Sequence, residues 1–223
     1  MLRVIGDVHS KVSDYLDIVD GCEYSLQIGD MGFNYKHLDY VDSTHHRIVF
    51  GNHDNFDIMP AYPHFLGGSG TASLDDIDFF FISGAFSVDK KARLRYEAMG
   101  YGKSWWEKEQ LSTKELQDAI DLYCDVKPNL MISHTCPTMV SRLIGNPGVL
   151  RSFGFDPSTF RTNTGEALQR CFDYHKPKVH IFGHMHQSRV EVVGGTTFIC
   201  LNELEYLDIK DNKIEHRGYK IEF

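Results

Sequence analysis

Short apolar runs alternate with polar clusters over most of the chain. The runs are rich in Val, Ile and Phe and are closed by Gly or Ser, a pattern typical of buried strands that lead into loops. They cover residues 2–5, 24–28, 47–50, 130–132 and 179–182. Each predicted strand is therefore followed by polar side chains at its carboxyl end.

Helical patterns lie between these strands. Ser112 and Glu115 have the spacing of a capping box, and apolar residues at helical spacing follow them, which predicts a helix. Residues 163–174 form a second candidate helix, with Leu168 and Phe172 on one face. Strands that alternate with helices predict an α/β fold built in layers.

The last part of the chain has a different pattern. Residues 189–193, 196–201, 206–209 and 213–216 are predicted strands joined by tight turns, and we expect them to complete the core as an antiparallel sheet. No shift in composition marks a boundary along the chain. We therefore expect a single domain over residues 1–223.

The segment 87–110 lacks a clean periodicity. It is polar, mixed in charge, and contains Trp105 and Trp106. We expect it to be an insertion or a lid-like excursion. Its two tryptophans either form a wall on which a substrate ring stacks or, as we favour, take part in packing.

Charge and cysteine content narrow the function classes. The formal net charge of −8 argues against a surface that coats nucleic acid, because such surfaces need clustered Lys and Arg. The five cysteines form no C-x-x-C pair, so the sequence predicts neither a disulfide framework nor a zinc ribbon. We find no signal-peptide pattern and no long apolar run, so we expect a soluble, cytoplasmic protein without a membrane span.

Two pairs of polar residues are the first candidates for chemistry. Asp7 and His9 lie two residues apart, and His184 and His186 repeat that spacing. On an extended backbone this spacing turns both side chains to the same side, where they can hold one ion. Each pair is therefore a candidate metal-binding element.

Further ligand types follow other predicted strands, namely Asp30, Asn52 and His134. Open α/β sheets gather their sites beyond the carboxyl ends of the strands, so we expect these residues to meet the two pairs. Mixed imidazole, carboxylate and amide ligands suit first-row divalent ions, and we favour manganese, with iron, zinc, nickel and cobalt as alternatives. Two such ions repel each other, so a carboxylate such as Asp30 is expected to bridge them. The net positive charge that remains attracts phosphate.

The order of these motifs resembles a known superfamily. The signature blocks of the calcineurin-like metallophosphoesterases are similar, in the same order, to Gly6-Asp7-Val8-His9, Gly29-Asp30, Gly51-Asn52-His53-Asp54, Ser133-His134 and Gly183-His184-Met185-His186. The resemblance implies a four-layer α/β/β/α sandwich, in which two mixed β-sheets are flanked by helices.

The resemblance also implies a role for each residue. One ion would be held by Asp7, His9 and His186 and the other by Asn52, His134 and His184, with Asp30 bridging them. His53 would act as general acid or phosphate contact and would be positioned by Asp54. The implied reaction is two-metal hydrolysis of a phosphate ester by in-line attack of a metal-bridging hydroxide.

The block that contains Asp30 narrows the substrate class. The serine/threonine phosphatase branch carries Gly-Asp-x-x-Asp-Arg-Gly there, whereas this block is Gly29-Asp30-Met31-Gly32-Phe33-Asn34-Tyr35 and lacks the Asp-Arg pair. We therefore favour a phosphodiesterase or a nucleotide-directed hydrolase that acts on a small phosphate ester. The alternatives are a phosphomonoesterase or serine/threonine protein phosphatase, and a non-catalytic protein-binding scaffold. The acidic charge disfavours a nuclease.

Arginines beyond His134 are candidates for substrate contacts. Arg142, Arg151 and Arg161 lie in a loop-rich stretch, where a guanidinium either clamps a phosphate or is simply solvated. Cys136 lies close to His134 in sequence but is more typical of a small buried apolar residue.

Overall fold

Two mixed β-sheets form the centre of the protein, and the computed structural model describes residues 1–223. The first six-stranded sheet has the spatial order β12 (Tyr219–Glu222), β11 (Lys213–His216), β10 (Tyr206–Lys210), β1 (Leu2–Ile5), β2 (Tyr24–Gln27) and β3 (His46–Ile48). The second six-stranded sheet has the order β4 (Ser69–Leu74), β5 (Ile77–Ile82), β6 (Leu130–Ser133), β7 (Val179–Phe182), β9 (Thr196–Cys200) and β8 (Arg189–Val193). Parallel pairing joins β1, β2 and β3 in one sheet and β5, β6, β7 and β9 in the other, and the remaining pairs are antiparallel.

Helices cover the outer faces of the sheets. On the first sheet lies α1 (Val12–Asp20), whose Tyr15 shares an apolar cluster with Ile5 and Ile48. The second sheet is covered by α3 (Thr113–Val126), α4 (Thr138–Ile144) and α6 (Asn163–Tyr174). The remaining helices are α2 (Lys90–Ala98), α5 (Pro147–Ser152) and short 3₁₀ turns at Lys36–Tyr40, Met59–Ala61 and Glu107–Glu109. The order of layers is thus helix, sheet, sheet and helix, as the resemblance implied.

The alternation of side chains along the strands explains this layering. Phe79 and Phe81 of β5 face the core between the sheets, whereas Phe80 and Ile82 face the helices. Successive side chains of a strand point to opposite faces, and both faces are covered here. The strands therefore need apolar residues on both sides, which is why they appear as continuous apolar runs in the sequence.

Several elements agree closely with the sequence. The predicted capping box is present: the Glu115 backbone N–H donates to Ser112 Oγ at 3.3 Å, and the Ser112 N–H donates to Glu115 Oε2 at 2.8 Å. The helix predicted at residues 163–174 is α6, with the same bounds. None of the helices combines the length and the apolar character that a membrane crossing needs.

Other elements correct the sequence analysis. The carboxyl-terminal strands do not form one antiparallel sheet, because β8 and β9 join the second sheet and β10 to β12 join the first. In addition, β9 pairs in parallel with β7. The strand expected at residues 47–50 is β3, which covers only His46–Ile48. Helices α1, α2, α4 and α5, the β4–β5 hairpin and β12 were not predicted.

Candidate metal centre

The predicted metal ligands converge at the carboxyl ends of parallel strands. Asp7 follows β1, Asp30 follows β2, His134 follows β6 and His184 follows β7. They form two groups whose ligand atoms lie within 4.8 Å of one another, and both groups contain Asp30. The residues that sequence alone brought together as metal ligands are therefore neighbours in the fold.

The first group consists of Asp7, His9, Asp30 and His186. His186 Nε2 lies 3.2 Å from Asp7 Oδ2 and 3.0 Å from His9 Nε2. His9 Nε2 is 3.6 Å from Asp7 Oδ2 and 3.6 Å from Asp30 Oδ2. Two imidazoles and two carboxylates thus face one point.

The second group consists of Asp30, His134 and His184, and Asn52 adjoins it. His134 Nε2 lies 3.2 Å from Asp30 Oδ1 and 3.2 Å from Asn52 Oδ1. The rings of His134 and His184 have their centroids 5.1 Å apart. The two carboxylate oxygens of Asp30 therefore face different groups, Oδ2 the first and Oδ1 the second.

The electrostatics of these groups call for positive charge. Asp7 and Asp30 are fully buried or nearly so, and neither pairs with a Lys or Arg side chain. Burial disfavours the Asp7 carboxylate, but hydrogen bonds from His186 and His9 outweigh it and lower the pKa of Asp7 to about 2. Asp30 Oδ2 is buried without a hydrogen-bond partner. A buried carboxylate oxygen left unpaired is costly, and a divalent cation would satisfy it.

The histidines of the second group are suited to hold such a cation. His134 Nδ1 lies 2.9 Å from the Ile28 carbonyl, which can only accept, so Nδ1 carries a proton and Nε2 is left to face the group. Burial lowers the pKa of His134, but Asp30 and Asp7 raise it more, to about 9. The two carboxylates thus favour a positive charge at His134 Nε2. A metal ion can supply this charge in place of the proton. Burial lowers the pKa of His184 to about 3, which keeps its ring neutral, the form that binds metal.

The backbone around the ligands is unusual. His9, Asp30, His184 and His186 have φ values of 47°, 60°, 65° and 49°. Non-glycine residues adopt this left-handed region rarely, and such strain clusters at functional sites. The extended backbone that we expected for the Asp7–His9 and His184–His186 pairs is therefore wrong, and tight turns bring the side chains together instead.

Glycines allow the loops to approach the ligands. A Cβ on Gly51 would lie 2.2 Å from Asp30 Oδ1, and a Cβ on Gly183 would lie 2.2 Å from Asp7 Oδ1. Glycine is thus required at both positions, because any side chain would collide with the carboxylate of Asp30 or Asp7.

The predicted catalytic residues lie beside the centre but do not contact each other as expected. The Asp54 carboxylate accepts hydrogen bonds from the backbone N–H groups of Asp30 and Gly51 at 3.1 and 2.7 Å and from Tyr35 Oη at 3.2 Å. It therefore ties the Asp30 and Asn52 loops together instead of orienting the His53 ring. Burial, then the charge of Asp30, raise the pKa of Asp54 to about 6.

Arg93, which the sequence analysis missed, is the residue that meets the His53 ring. Its Nη2 lies 2.9 Å from His53 Nδ1, and its Nη1 donates to the Asn52 carbonyl at 3.1 Å. The Arg93 side chain is almost completely buried, and its Nε donates to Asp89 at 2.9 Å. Because α2 carries Arg93, the 87–110 segment packs directly on the Asn52–His53 loop.

Glu203 is a second residue that the sequence did not reveal. Its Oε1 lies 3.2 Å from His186 Nδ1, and its other oxygen pairs with Lys11. A carboxylate on Nδ1 fixes the ring so that Nε2 faces the first group. No local motif marks this role, because Glu203 lies in the loop after β9.

The predicted substrate arginines differ in their position. Arg142 donates to the Ser158 carbonyl at 3.0 Å and Arg151 is exposed on α5, and neither lines the cavity that reaches His184. Arg161 does line this cavity, which measures 180 Å³. Its Nε also lies 3.4 Å from Glu166 Oε1.

The aromatic and cysteine candidates have ordinary surroundings. Trp106 is buried and shares an apolar cluster with Phe56, and the Trp105 ring lies under Lys90 Nζ at 3.7 Å. Cys136 is buried in the cluster beneath α4. Packing accounts for Trp106 and Cys136, whereas Trp105 is half-buried and lines a cavity of 860 Å³.

Residues 2–188 match the Metallophos family, described as calcineurin-like phosphoesterases. The chain belongs to this family. The fold of this calcineurin-like phosphoesterase resembles a dimetal phosphatase from Danio rerio, with a TM-score of 0.54, 13% identity, and coverage of 99% of this chain and 98% of that one. At this identity the likeness shows the fold.

Two other solved structures are similar over most of this chain. One match is a putative 5'-nucleotidase from Staphylococcus aureus, with a TM-score of 0.48 and 10% identity. The aligned region covers 96% of this chain and 52% of the nucleotidase chain. A phosphopantetheinyl hydrolase from Mycobacterium tuberculosis has a TM-score of 0.45 and 11% identity, and covers 91% and 89%. None of the curated proteins matches the chain.

Proposed function

We propose that this calcineurin-like phosphoesterase binds two divalent ions, manganese by preference, and hydrolyses small phosphate esters. The observation that carries the proposal is Asp30, whose two oxygens face different ligand groups and whose Oδ2 is buried without a partner. The first ion would be held by Asp7, His9 and His186 and the second by Asn52, His134 and His184, with Asp30 shared between them. When bound, such ions neutralise phosphate charge and acidify a water molecule.

The His53 side chain is proposed to contact the substrate. Its ring lies edge-on to that of His9, with centroids 4.9 Å apart, and its backbone N–H donates to Asp30 Oδ1 at 2.6 Å. Burial and the charge of Arg93 lower the pKa of His53 to about 4, with Asp30 opposing them. A neutral ring at neutral pH supports a hydrogen-bonding role toward a phosphate or leaving-group oxygen over that of a proton source.

A cavity beside the second group supports a diester or nucleotide substrate. It measures 180 Å³, reaches His184, and is lined by Phe86, Leu150 and Phe160 among other residues. An apolar cavity of about 150 Å³ in another protein binds benzene, so this one can take a ring-sized group. A diester has a second organic group to place there, and Arg161 at the rim can meet an anionic substituent.

The test compares bis-p-nitrophenyl phosphate with p-nitrophenyl phosphate in the presence of manganese. We expect faster turnover of the diester and a loss on the order of 100-fold or more in Asp30→Asn and His53→Ala. Asp17→Asn, on the exposed face of α1, is the matched control and should retain wild-type activity. Turnover of the monoester alone would contradict the diester preference, and absence of bound metal after incubation with manganese would contradict the enzymatic function.

We also propose a cytoplasmic location and one domain over residues 1–223. All cysteines are unpaired, which suits a reducing compartment. Strands from both ends of the chain lie side by side in the first sheet, since β1 pairs with β10.

A further inference from the structure

The Asn52 side chain is held from the side opposite the metal centre. Its Oδ1 faces His134 Nε2 at 3.2 Å, and its Nδ2 donates to Ser87 Oγ at 3.0 Å. Both Asn52 and Ser87 are buried, with 2% and 1% of their surface exposed. Water therefore does not compete for this hydrogen bond.

A carboxylate extends the chain of hydrogen bonds. Ser87 Oγ donates to Glu109 Oε2, and the Ser87 backbone N–H donates to Glu109 Oε1 at 2.9 Å. Glu109 is also buried, with 2% exposed. Ser87 and Glu109 lie at the two ends of the 87–110 segment, so these hydrogen bonds tie the two ends together, and Ser87 joins them to Asn52.

The chemistry of the partners fixes the direction of every hydrogen bond. Both Glu109 oxygens accept from Ser87, one from its backbone N–H and the other from its hydroxyl, so the hydroxyl proton points to Glu109. The lone pairs that remain on Ser87 Oγ can only accept, and they must meet the NH₂ group of Asn52. The amide oxygen is thereby turned toward the metal centre.

This direction matters because the two ends of an amide have nearly the same shape. A flipped Asn52 would fit the same space but would direct its NH₂ group at a cation. The shape of the site alone thus does not select the amide orientation that binds metal. The Glu109 carboxylate, which is the last acceptor in this series of hydrogen bonds, selects it.

We propose that Ser87 and Glu109 are positioning residues that hold the Asn52 oxygen toward the second ion and so set the affinity of that site. The inference rests on the proposed function, because it takes Asn52 as a metal ligand. Loss of either residue should weaken the binding of one of the two ions and leave the binding of the other unchanged.

The test is a titration of the full chain with manganese, in which binding is monitored by calorimetry and by electron paramagnetic resonance. We expect Ser87→Ala and Glu109→Gln each to lower the affinity for one ion about 10–100-fold, which is the usual effect of losing a hydrogen-bond partner of a metal ligand. Ser104→Ala and Glu107→Gln, from the same segment, are matched controls and should bind both ions like the wild type. Tight binding of both ions by Ser87→Ala and Glu109→Gln overturns the inference.

An Asn52→Asp background separates positioning from a general loosening of the loop. A carboxylate presents an oxygen in either orientation, so Ser87→Ala should cost there less than about threefold in affinity. An equal loss in both backgrounds overturns the inference. If Ser87→Ala does not fold, Glu109→Gln, which keeps the size of the side chain, decides the matter in the same two backgrounds. A wild-type protein that binds no manganese contradicts the proposed function instead.

Discussion

The Arg93 guanidinium lies against the His53 ring, with Nη2 2.9 Å from Nδ1. Burial and this charge together lower the pKa of His53, while the nearby Asp30 carboxylate raises it. The positive group is itself held by Asp89 and by the carbonyls of Asn52 and Ser104. Arg93 therefore fixes the position of His53 and adds to the effect of burial, which is the larger cause of the low pKa.

Removal of Arg93 should raise the pKa of His53. In Arg93→Met the imidazole loses a nearby positive charge but stays buried, so we expect its pKa to rise above about 4 and to stay below the ordinary value, as measured by NMR titration of the metal-free protein. Diester turnover should fall roughly tenfold or more because the ring is no longer fixed. Arg95→Met, on the exposed side of α2, is the control. The same His53 pKa in Arg93→Met and in the wild type would contradict a contribution of the Arg93 charge.

Loss of Glu203 should weaken the binding of the first ion. In Glu203→Ala the His186 ring loses the carboxylate at Nδ1, so we expect about 10–100-fold weaker manganese binding at one site in calorimetry. Lys11→Met removes the exposed ion pair on the far side of Glu203 and should change the affinity by less than about fivefold. Equal effects of the two substitutions would show that Glu203 acts only through general surface charge.

Gly51→Ala should abolish the metal centre. Its Cβ would lie 2.2 Å from Asp30 Oδ1 and 2.5 Å from the Asp30 backbone nitrogen, which cannot move aside as a flexible side chain can. We expect loss of bound manganese and a decrease of about 1–3 kcal/mol in the free energy of unfolding. Gly148→Ala on α5, where the Cβ meets only the Asn146 side chain at 3.1 Å, is the control. Full metal content in Gly51→Ala is the contrary result.

His180 should make the fold sensitive to acid. Its Nε2 lies 2.6 Å from Ser133 Oγ, and burial lowers its pKa from 6.5 to about 3. As the pH falls through 6.5 the unfolded chain binds a proton that the folded protein refuses until about pH 3, so stability decreases across that window, by up to about 1.4 kcal/mol per pH unit. Above pH 6.5 this contribution is constant.

Urea unfolding at several pH values checks this sign. His180→Gln keeps a neutral donor for Ser133 but cannot take up the proton, so its stability should fall less steeply than that of the wild type between pH 6.5 and pH 3. The two proteins should differ by a constant amount above pH 6.5. Parallel curves at all pH values would exclude His180 as the source of the acid sensitivity.

The layered fold and the convergence of the ligand types could be predicted from the sequence, because they depend on local patterns. The run before His134 is apolar on both faces, the runs before Asp7 and Asp30 are largely buried, and the glycines beside the ligands mark close approach. The order of the motifs then places the ligands at one edge of the sheets. Helix α2 could not be predicted, because Arg93 is its buried residue and no apolar stripe exists.

The residues that surround the ligands could not be found in this way. Ser87, Arg93 and Glu109 reach the Asn52–His53 loop through tertiary contacts with no spacing rule behind them. The left-handed backbone at His9 and His186 was also hidden, since histidine adopts it only in a minority of cases and no glycine marks it. Sequence patterns thus identified the candidate ligands, whereas the orientation of their side chains depends on packing between distant segments.

Strand β1 lies between β2 and β10, so Leu2 pairs with Tyr24 on one side and with Ile209 on the other. The loop that carries Asp7 is tied to the same late part of the chain, because the Leu204 N–H donates to the Asp7 carbonyl at 2.9 Å. During synthesis, one edge of β1 therefore stays open until residues near 210 have left the ribosome. Under the proposed function, binding of an ion by Asp7 would depend on this late pairing, so metal-dependent stabilisation would be a property of the chain only after β10 is in place.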